Sequence, residues 1–266
     1  MLKHISRFDQ ERFAWLLPLE IHLLIADYCK TGIEPAHFCY AETLPVSPDV
    51  RNVDFQLNGQ LMLATEKGWR GLKFDREILA TMEDCKGYYV IRVLDYVIVV
   101  KPDFTLHSKR ALQLRDIALF HHCQKVVYVD QDGDVFELKY RAWKQKWKHE
   151  DSGIFMLTCQ RSGNIVTVTT HGVCLVSPEY KLLQQIYELD VQWLGTDVWD
   201  QIVVAKYTHF SVYSADGKDK IFSYNYPYTH GGWITCSGAI NMVDGTLCFL
   251  DTSAHHLVVY KNKYKA

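Results

Sequence analysis

The chain has 266 residues, with 29 Lys and Arg against 31 Asp and Glu, for a formal charge of −2. That balance supplies no overall attraction to nucleic acid or to an anionic membrane. Hydrophobic residues make up 48% and aromatics 13%, enough apolar surface for a sizeable core and an aromatic share suited to strands.

The N-terminus, Met1 to Arg12, carries Arg7, Asp9, Glu11 and Arg12 and lacks the apolar core of a signal peptide. The apolar stretch Leu16 to Ala26 is broken by Pro18, Glu20 and His22, short of the ~20 residues a membrane span needs. Residues 9–31 read as helical. Pro18 suits a first helical turn, Leu19, Leu23 and Ala26 follow at three- and four-residue spacing, and Gly32 supplies a C-terminal stop. The eight cysteines are dispersed and form no Cys-x-x-Cys pair, and Cys174 sits inside the apolar run Val173-Cys174-Leu175-Val176. Such thiols behave as small hydrophobes and suit a reducing compartment, so the expected location is cytoplasmic or nuclear.

Leu17-Pro18-Leu19-Glu20-Ile21, followed by Leu24, Ile25 and Tyr28, resembles the opening of an F-box. The resemblance covers about residues 14–29. It implies that the Leu17 to Ile21 turn starts a short helix whose apolar face docks in the groove of a Skp-type adaptor of a cullin ubiquitin ligase, with these eight residues as the adaptor-binding segment. It also implies that a C-terminal repeat domain captures a substrate. The same spacing is equally that of an amphipathic helix packed on the rest of the chain.

Thr43 to Asp49 carries two prolines and reads as a linker. After it the period changes to two and six similar segments follow. Their central strands are Leu61-Met-Leu-Ala-Thr, Tyr96-Val-Ile-Val-Val, Lys125-Val-Val-Tyr-Val, Ile165-Val-Thr-Val-Thr, Ile202-Val-Val-Ala-Lys and Leu247-Cys-Phe-Leu-Asp. Each is followed by a turn and another strand, with Asp132-Gly133 and Asp216-Gly217 marking hairpins. Repeats of 30–45 residues with three or four short strands are the signature of a propeller blade. The expectation is a mainly β chain: a helical segment over 1–35, then one β-propeller over 36–266 of about six blades, with five or seven as alternatives. The last repeat ends at Ala266 after its third strand, so Ala36-His-Phe-Cys-Tyr-Ala-Glu is expected to close the ring as its missing outer strand.

Three motifs invite chemistry and read more simply. Asp130-Gln-Asp132-Gly133-Asp134 has its Gly at the wrong position for a calcium loop and is expected to be a hairpin turn. In Lys139 to Lys148, alternation puts Trp143, Gln145 and Trp147 on one strand face and three lysines on the other. The pairs His121-His122 and His255-His256, with His230, lack metal-ligand spacing. No nucleophile elbow, phosphate loop or dinucleotide fingerprint occurs, so no catalytic residue, metal or cofactor is assigned.

The function expected is therefore a protein-interaction module, with Trp69, Arg70, Trp199, Tyr226, Tyr228, His230 and Trp233 as contact residues, since interface hot spots favour Trp, Tyr and Arg. The alternatives are a propeller hydrolase or lyase using channel-facing Asp, Glu and His, and a lectin-like sugar-binding propeller.

Overall fold

The computed structural model describes residues 38–56, 58–66, 68–84, 86–112, 114–120, 125–139, 142–148, 153–226 and 237–262. In chain order the strands are β1 (Phe38–Pro45), β2 (Val50–Phe55), β3 (Leu61–Thr65), β4 (Gly68–Trp69), β5 (Leu72–Lys73), β6 (Ile78–Glu83), β7 (Tyr89–Val93) and β8 (Tyr96–Val100). Next come β9 (Leu106–Ala111), β10 (Leu114–Phe120), β11 (Lys125–Asp130), β12 (Asp134–Lys139), β13 (Ala142–Lys148), β14 (Met156–Cys159), β15 (Ile165–Thr169) and β16 (Gly172–Val176). The last are β17 (Leu182–Ile186), β18 (Trp193–Thr196), β19 (Ile202–Ala205), β20 (His209–Tyr213), β21 (Lys220–Asn225), β22 (Ser237–Ile240), β23 (Leu247–Asp251) and β24 (His256–Asn262).

They form six antiparallel four-stranded sheets, the blades of a propeller. Blades 1 to 5 take their strands consecutively, from β2–β5 through β18–β21. Blade 6 has the order β1-β24-β23-β22, so its outer strand comes from the other end of the described chain. The register runs from Phe38 opposite Asn262 to Pro45 opposite His256. The expected closure is observed, and it extends further than expected: Thr43, Leu44 and Pro45 belong to β1, not to a linker. Pro45 is tolerated because it ends an edge strand.

Each blade is buried on both faces. In β23, Leu247 and Phe249 pack against Val203, Phe210 and Val212 of blade 5, whereas Cys248 and Leu250 pack against Val50 and Val53 of blade 1. Each such side chain stabilises the fold by about 1.5–3 kcal/mol. This two-sided burial makes middle strands continuous apolar runs. It also shifts the reading of blade 2, where Tyr96-Val-Ile-Val-Val is the third strand, β8. The second strand is β7, and every residue of both except Arg92 is buried. Periodicity cannot tell two such runs apart.

The Asp130–Asp134 segment is a hairpin turn, with the Asp130 carboxylate accepting the N–H groups of Asp132 (3.0 Å) and Asp134 (2.9 Å). In β13 the backbone register sets Trp143 opposite Leu138 and Gln145 opposite Phe136, then slips to set Trp147 opposite Val135. That bulge interrupts the strict alternation expected of this strand. Among the described residues no helix is long and apolar enough to cross a membrane. The helical reading of residues 9–31 lies outside the described residues.

Candidate functional site

The inner strands β2, β6, β10, β14, β18 and β22 surround a central channel of about 620 Å³. Because all six run the same way along the axis, their first residues share one mouth and their last residues the other. In β2, β6 and β10 the register slips immediately after Val50, Ile78 and Leu114, leaving Arg51, Leu79 and Arg115 as bulge residues at the first mouth. A bulge re-aims the side chain it frees from the ladder.

Arg51 Nη1 donates to the carbonyls of Pro48 (2.6 Å) and Val50 (3.2 Å). Arg115 Nη1 donates to Ile154 O (3.4 Å), and the guanidinium stands 5.3 Å from the Phe155 ring centroid. Among the described residues neither has a carboxylate partner. Arg92 differs: it pairs with Asp116 at 3.5 Å and donates to Leu114 O at 2.8 Å. Asp116 also accepts the Leu157 N–H (2.8 Å), a link from blade 3 to blade 4. Burial pushes the Asp116 carboxyl up to about 6 against the pull of Arg92 and these N–H groups. Toward the other mouth stand Asp54 and Glu83. Burial, with the Glu83 charge adding to it, pushes Asp54 up to about 8 against the pull of the Phe55 N–H that its carboxyl accepts. The channel wall between holds Asn52, Thr81 and Ser237. Asn52 donates to Leu79 O (3.1 Å) and Ser237 Oγ (3.2 Å), tying blades 6, 1 and 2 together. The lining mixes polar residues with apolar ones such as Met82, Ile117, Phe155 and Met242, and no histidine is among its described lining residues.

Of the contact residues read from the sequence, the structure joins Trp69 and Arg70 in one cluster at the β4–β5 turn. Arg70 has φ +45 and its guanidinium lies 5.5, 5.6 and 5.7 Å from the ring centroids of Trp69, Tyr89 and Phe104. Tyr89 and Phe104 are stacked at 5.7 Å, and Gln56 donates to the Tyr89 hydroxyl at 3.1 Å. Trp69 itself is buried, whereas Arg70 is exposed and has no carboxylate partner among the described residues. Trp199 stands apart on blade 5, partly buried in the turn after β18. Tyr226 is buried in the blade 5–6 core beside Phe210 and Phe249. Tyr228, His230 and Trp233 lie outside the described residues, as do Leu17, Pro18, Leu19, Glu20, Ile21, Leu24, Ile25 and Tyr28.

A third feature was not read from the sequence. The outer strand of blade 4, β17, and the turn after it expose Leu182 (57%), Leu183 (52%), Tyr187 (85%) and Leu189 (56%). A hollow of about 400 Å³ lined by Thr170, His171, Gln185, Tyr187 and Leu189 adjoins them. β17, Leu182-Leu-Gln-Gln-Ile186, carries no charged residue, while the outer strands β9, β13 and β21 carry Lys109 and Arg110, three lysines and Lys220. Charged outer strands discourage pairing with other chains, and β17 lacks that protection.

Cys159, Cys174 and Cys248 are buried, and burial pushes the Cys248 thiol up to about 12, in keeping with their reading as small hydrophobes. Among the described residues no group of three His, Cys, Asp or Glu is placed to hold a metal ion. Fold and site together define the class: a closed six-bladed β-propeller with an axial channel of mixed lining and, among the described residues, an apolar outer strand without charges. No protein-family model matches the chain, and a search of the curated proteins found no match.

Proposed function

We propose that this propeller is a protein-interaction module and that the outer edge of blade 4 is where its partner binds. The observation that supports this is the group Leu182, Leu183, Tyr187 and Leu189, four large apolar side chains each more than half exposed, the first two on an edge strand without charged residues and the others in the turn that follows it. Apolar surface left in water on a well-packed protein marks an interaction site, and an edge strand with free backbone groups can accept an extended segment as an added strand. The test compares the full chain with a Leu183→Lys/Tyr187→Glu variant in affinity capture from a eukaryotic lysate. A partner retained by the first and lost by the second, with unchanged circular dichroism, is the expected outcome. Equal retention by both removes blade 4 from the interface.

The finer reading is that of a substrate receptor, in which Leu17, Pro18, Leu19, Glu20, Ile21, Leu24, Ile25 and Tyr28 dock on a Skp-type adaptor and the propeller captures a target. It is supported by the Leu-Pro-x-Glu-Ile pattern and by its place ahead of a repeat domain. Replacing Pro18, Leu19 and Ile21 with Ala should abolish adaptor binding while the β signal persists. Binding that survives the triple substitution rules this segment out.

A second contact is favoured by Arg70. A guanidinium held among three rings and, among the described residues, lacking a carboxylate suits an acidic group of the partner, because the cation–π contacts fix its position before binding while it stays open to solvent.

A further inference from the structure

We infer that the outer edge of blade 4 docks a second copy of this chain, β17 running antiparallel to β17 across a two-fold axis at Gln185. This rests on the blade 4 reading above and names the partner. The backbone sets the axis. The Ile186 carbonyl points toward Gly172 of β16, so alternation along the strand turns the backbone groups of Gln185 outward. There the Gln184 side-chain amide donates to the Gln185 carbonyl at 3.1 Å. Two copies of Gln185 facing each other exchange both N–H···O bonds of an antiparallel pair, which joins two four-stranded blades into one sheet.

The side chains fit the same axis. β17 begins with the exposed Leu182 and Leu183, the second freed from the ladder by a bulge, and ends at the hollow lined by Thr170, His171, Gln185, Tyr187 and Leu189. The register sets Leu182 opposite Val176 and Gln185 opposite Cys174, so Leu182 and Gln185 share one sheet face. Antiparallel pairing centred on Gln185 therefore brings the leucines of each copy to the hollow of the other. The two-fold fills both hollows at once and doubles the apolar surface covered, toward the about 1,000 Å² or more that a specific interface buries. Charge agrees with this direction. No charged residue lies within β17, while the exposed Lys181 precedes it and the exposed Asp190 follows its turn. Among the described residues neither has an ion-pair partner, and Glu188 between them is taken up by Lys206 and Lys220. Antiparallel pairing carries Lys181 of each copy to the end of the other that holds Asp190. Glu179, also exposed, sits in the turn before the paired stretch.

The experiment is sedimentation equilibrium of the full chain from about 1 to 100 μM, with dissociation expected in the micromolar range, so that unfolding below it reports the monomer. The mass should rise from 30.9 kDa toward twice that value. Leu183→Lys/Tyr187→Glu should stay monomeric with unchanged circular dichroism. Lys181→Asp should weaken association about fivefold, and adding Asp190→Lys to the same chain should restore it, a rescue that requires the partner to be another copy. Gln185→Cys should cross-link into a dimer on mild oxidation, because Cα atoms of such a pair stand about 5.5 Å apart, whereas Gln184→Cys and the native chain should not. The inference is overturned if the mass stays at 30.9 kDa throughout, if Leu183→Lys/Tyr187→Glu still dimerises, or if the charge reversal is not rescued. A monomeric chain whose captured lysate partner is lost by Leu183→Lys/Tyr187→Glu overturns the second copy and keeps blade 4 as the docking edge. A monomeric chain with equal capture overturns both.

Discussion

Blades 4 and 6 have the same four-stranded plan, and their outer strands meet opposite fates. The outer strand of blade 6, β1, turns Phe38 inward, where it lies between the rings of Phe210 (6.0 Å) and Phe222 (5.9 Å) at 2% exposure. The outer strand of blade 4 and the turn after it leave Tyr187 at 85% exposure. An apolar side chain on an outer strand thus belongs to the core only where a neighbouring blade reaches around to cover it. Where none does, the same chemistry is free for a partner. β1 closes the ring and β17 is available to bind.

The comparison breaks most directly at the closure. Phe210→Ala empties a site where six aromatic rings have centroids 5.0 to 6.2 Å from that of the Phe210 ring. Loss of a buried Phe costs about 3–5 kcal/mol, and Phe38→Ala should come close to it because β1 holds the ends together. Urea unfolding followed by circular dichroism measures both. A loss below about 1 kcal/mol for Phe38→Ala would mean that the closing strand contributes little to holding the ring.

The next effect lies within blade 4 and separates its structural from its binding surface. Gly172 opens β16 at φ +123, and a Cβ there would meet the carbonyl oxygen of Ile186 at 2.4 Å. Because that atom is backbone of β17's last residue, relief requires moving the edge strand itself. Gly172→Ala should destabilise by about 1–3 kcal/mol and weaken partner capture with it. A neutral result would show that β17 shifts at no cost.

Smaller still is a pH effect, which contrasts the channel with the contact between blades 4 and 5. At that contact burial raises the pKa of Glu188, but hydrogen bonds from Lys206, Tyr213 and Lys220 outweigh it and hold the carboxyl down to about 2. Glu188 therefore contributes stability above its ordinary value of 4.5, and that stability is lost as pH falls toward 2. Asp54 has the opposite sign. Its folded pKa, about 8, lies above the ordinary 3.8, so between those values the folded chain keeps a proton that the unfolded chain has released. Stability then falls as pH rises through that window. Asp54→Asn should flatten the fall and gain at least about 1 kcal/mol at pH 8.5, since each tenfold difference in proton affinity between the folded and unfolded chain is worth about 1.4 kcal/mol. Parallel slopes for the two proteins would show that Asp54 is ionised in the native channel.

The fold was legible because blades repeat their chemistry, and it was misread where two strands repeat it too closely. Asp132-Gly133 and Asp216-Gly217 mark the hairpins they were expected to mark, and the segment around Phe38 closes the ring as the missing outer strand of the last repeat suggested. A sharper signal lay in the inner hairpins. Gln56, Asp84, Gln160 and Asn241 each open a turn in which a glycine with positive φ donates its N–H back to the opening residue's carbonyl. At Asp197 the same turn uses Asp200, at φ +62, in the glycine's place. Setting the repeats on that turn instead of on the apolar runs gives the right phase for blade 2. The equivalence of Val50-Arg51-Asn52 and Leu114-Arg115-Asp116 comes instead from the register slip that the two inner strands share. The contact residues were harder to read, because exposure is not written in residue type. Trp69 and Tyr226 are aromatic residues near turns, as hot spots often are, yet both are buried between blades. Tyr187 follows an unremarkable run of Leu and Gln, and only the missing neighbour leaves it in water.

The smallest expected effect bears most directly on what blade 4 is for. Tyr187→Ser and Leu189→Ser remove apolar side chains that the folded chain leaves exposed, so little burial is lost on folding and stability should change by no more than about 0.5 kcal/mol. The midpoint of urea unfolding measures this. If the pair instead destabilised the chain by about 2 kcal/mol, as buried Leu positions do, these side chains would be covered in solution by part of the same protein, and the unprotected edge would be a closed one. A neutral pair that loses its partner would show the reverse. Blade 4 would then carry binding on surface that folding does not use, while blade 6, with similar residues turned inward, carries the stability that keeps that surface in place.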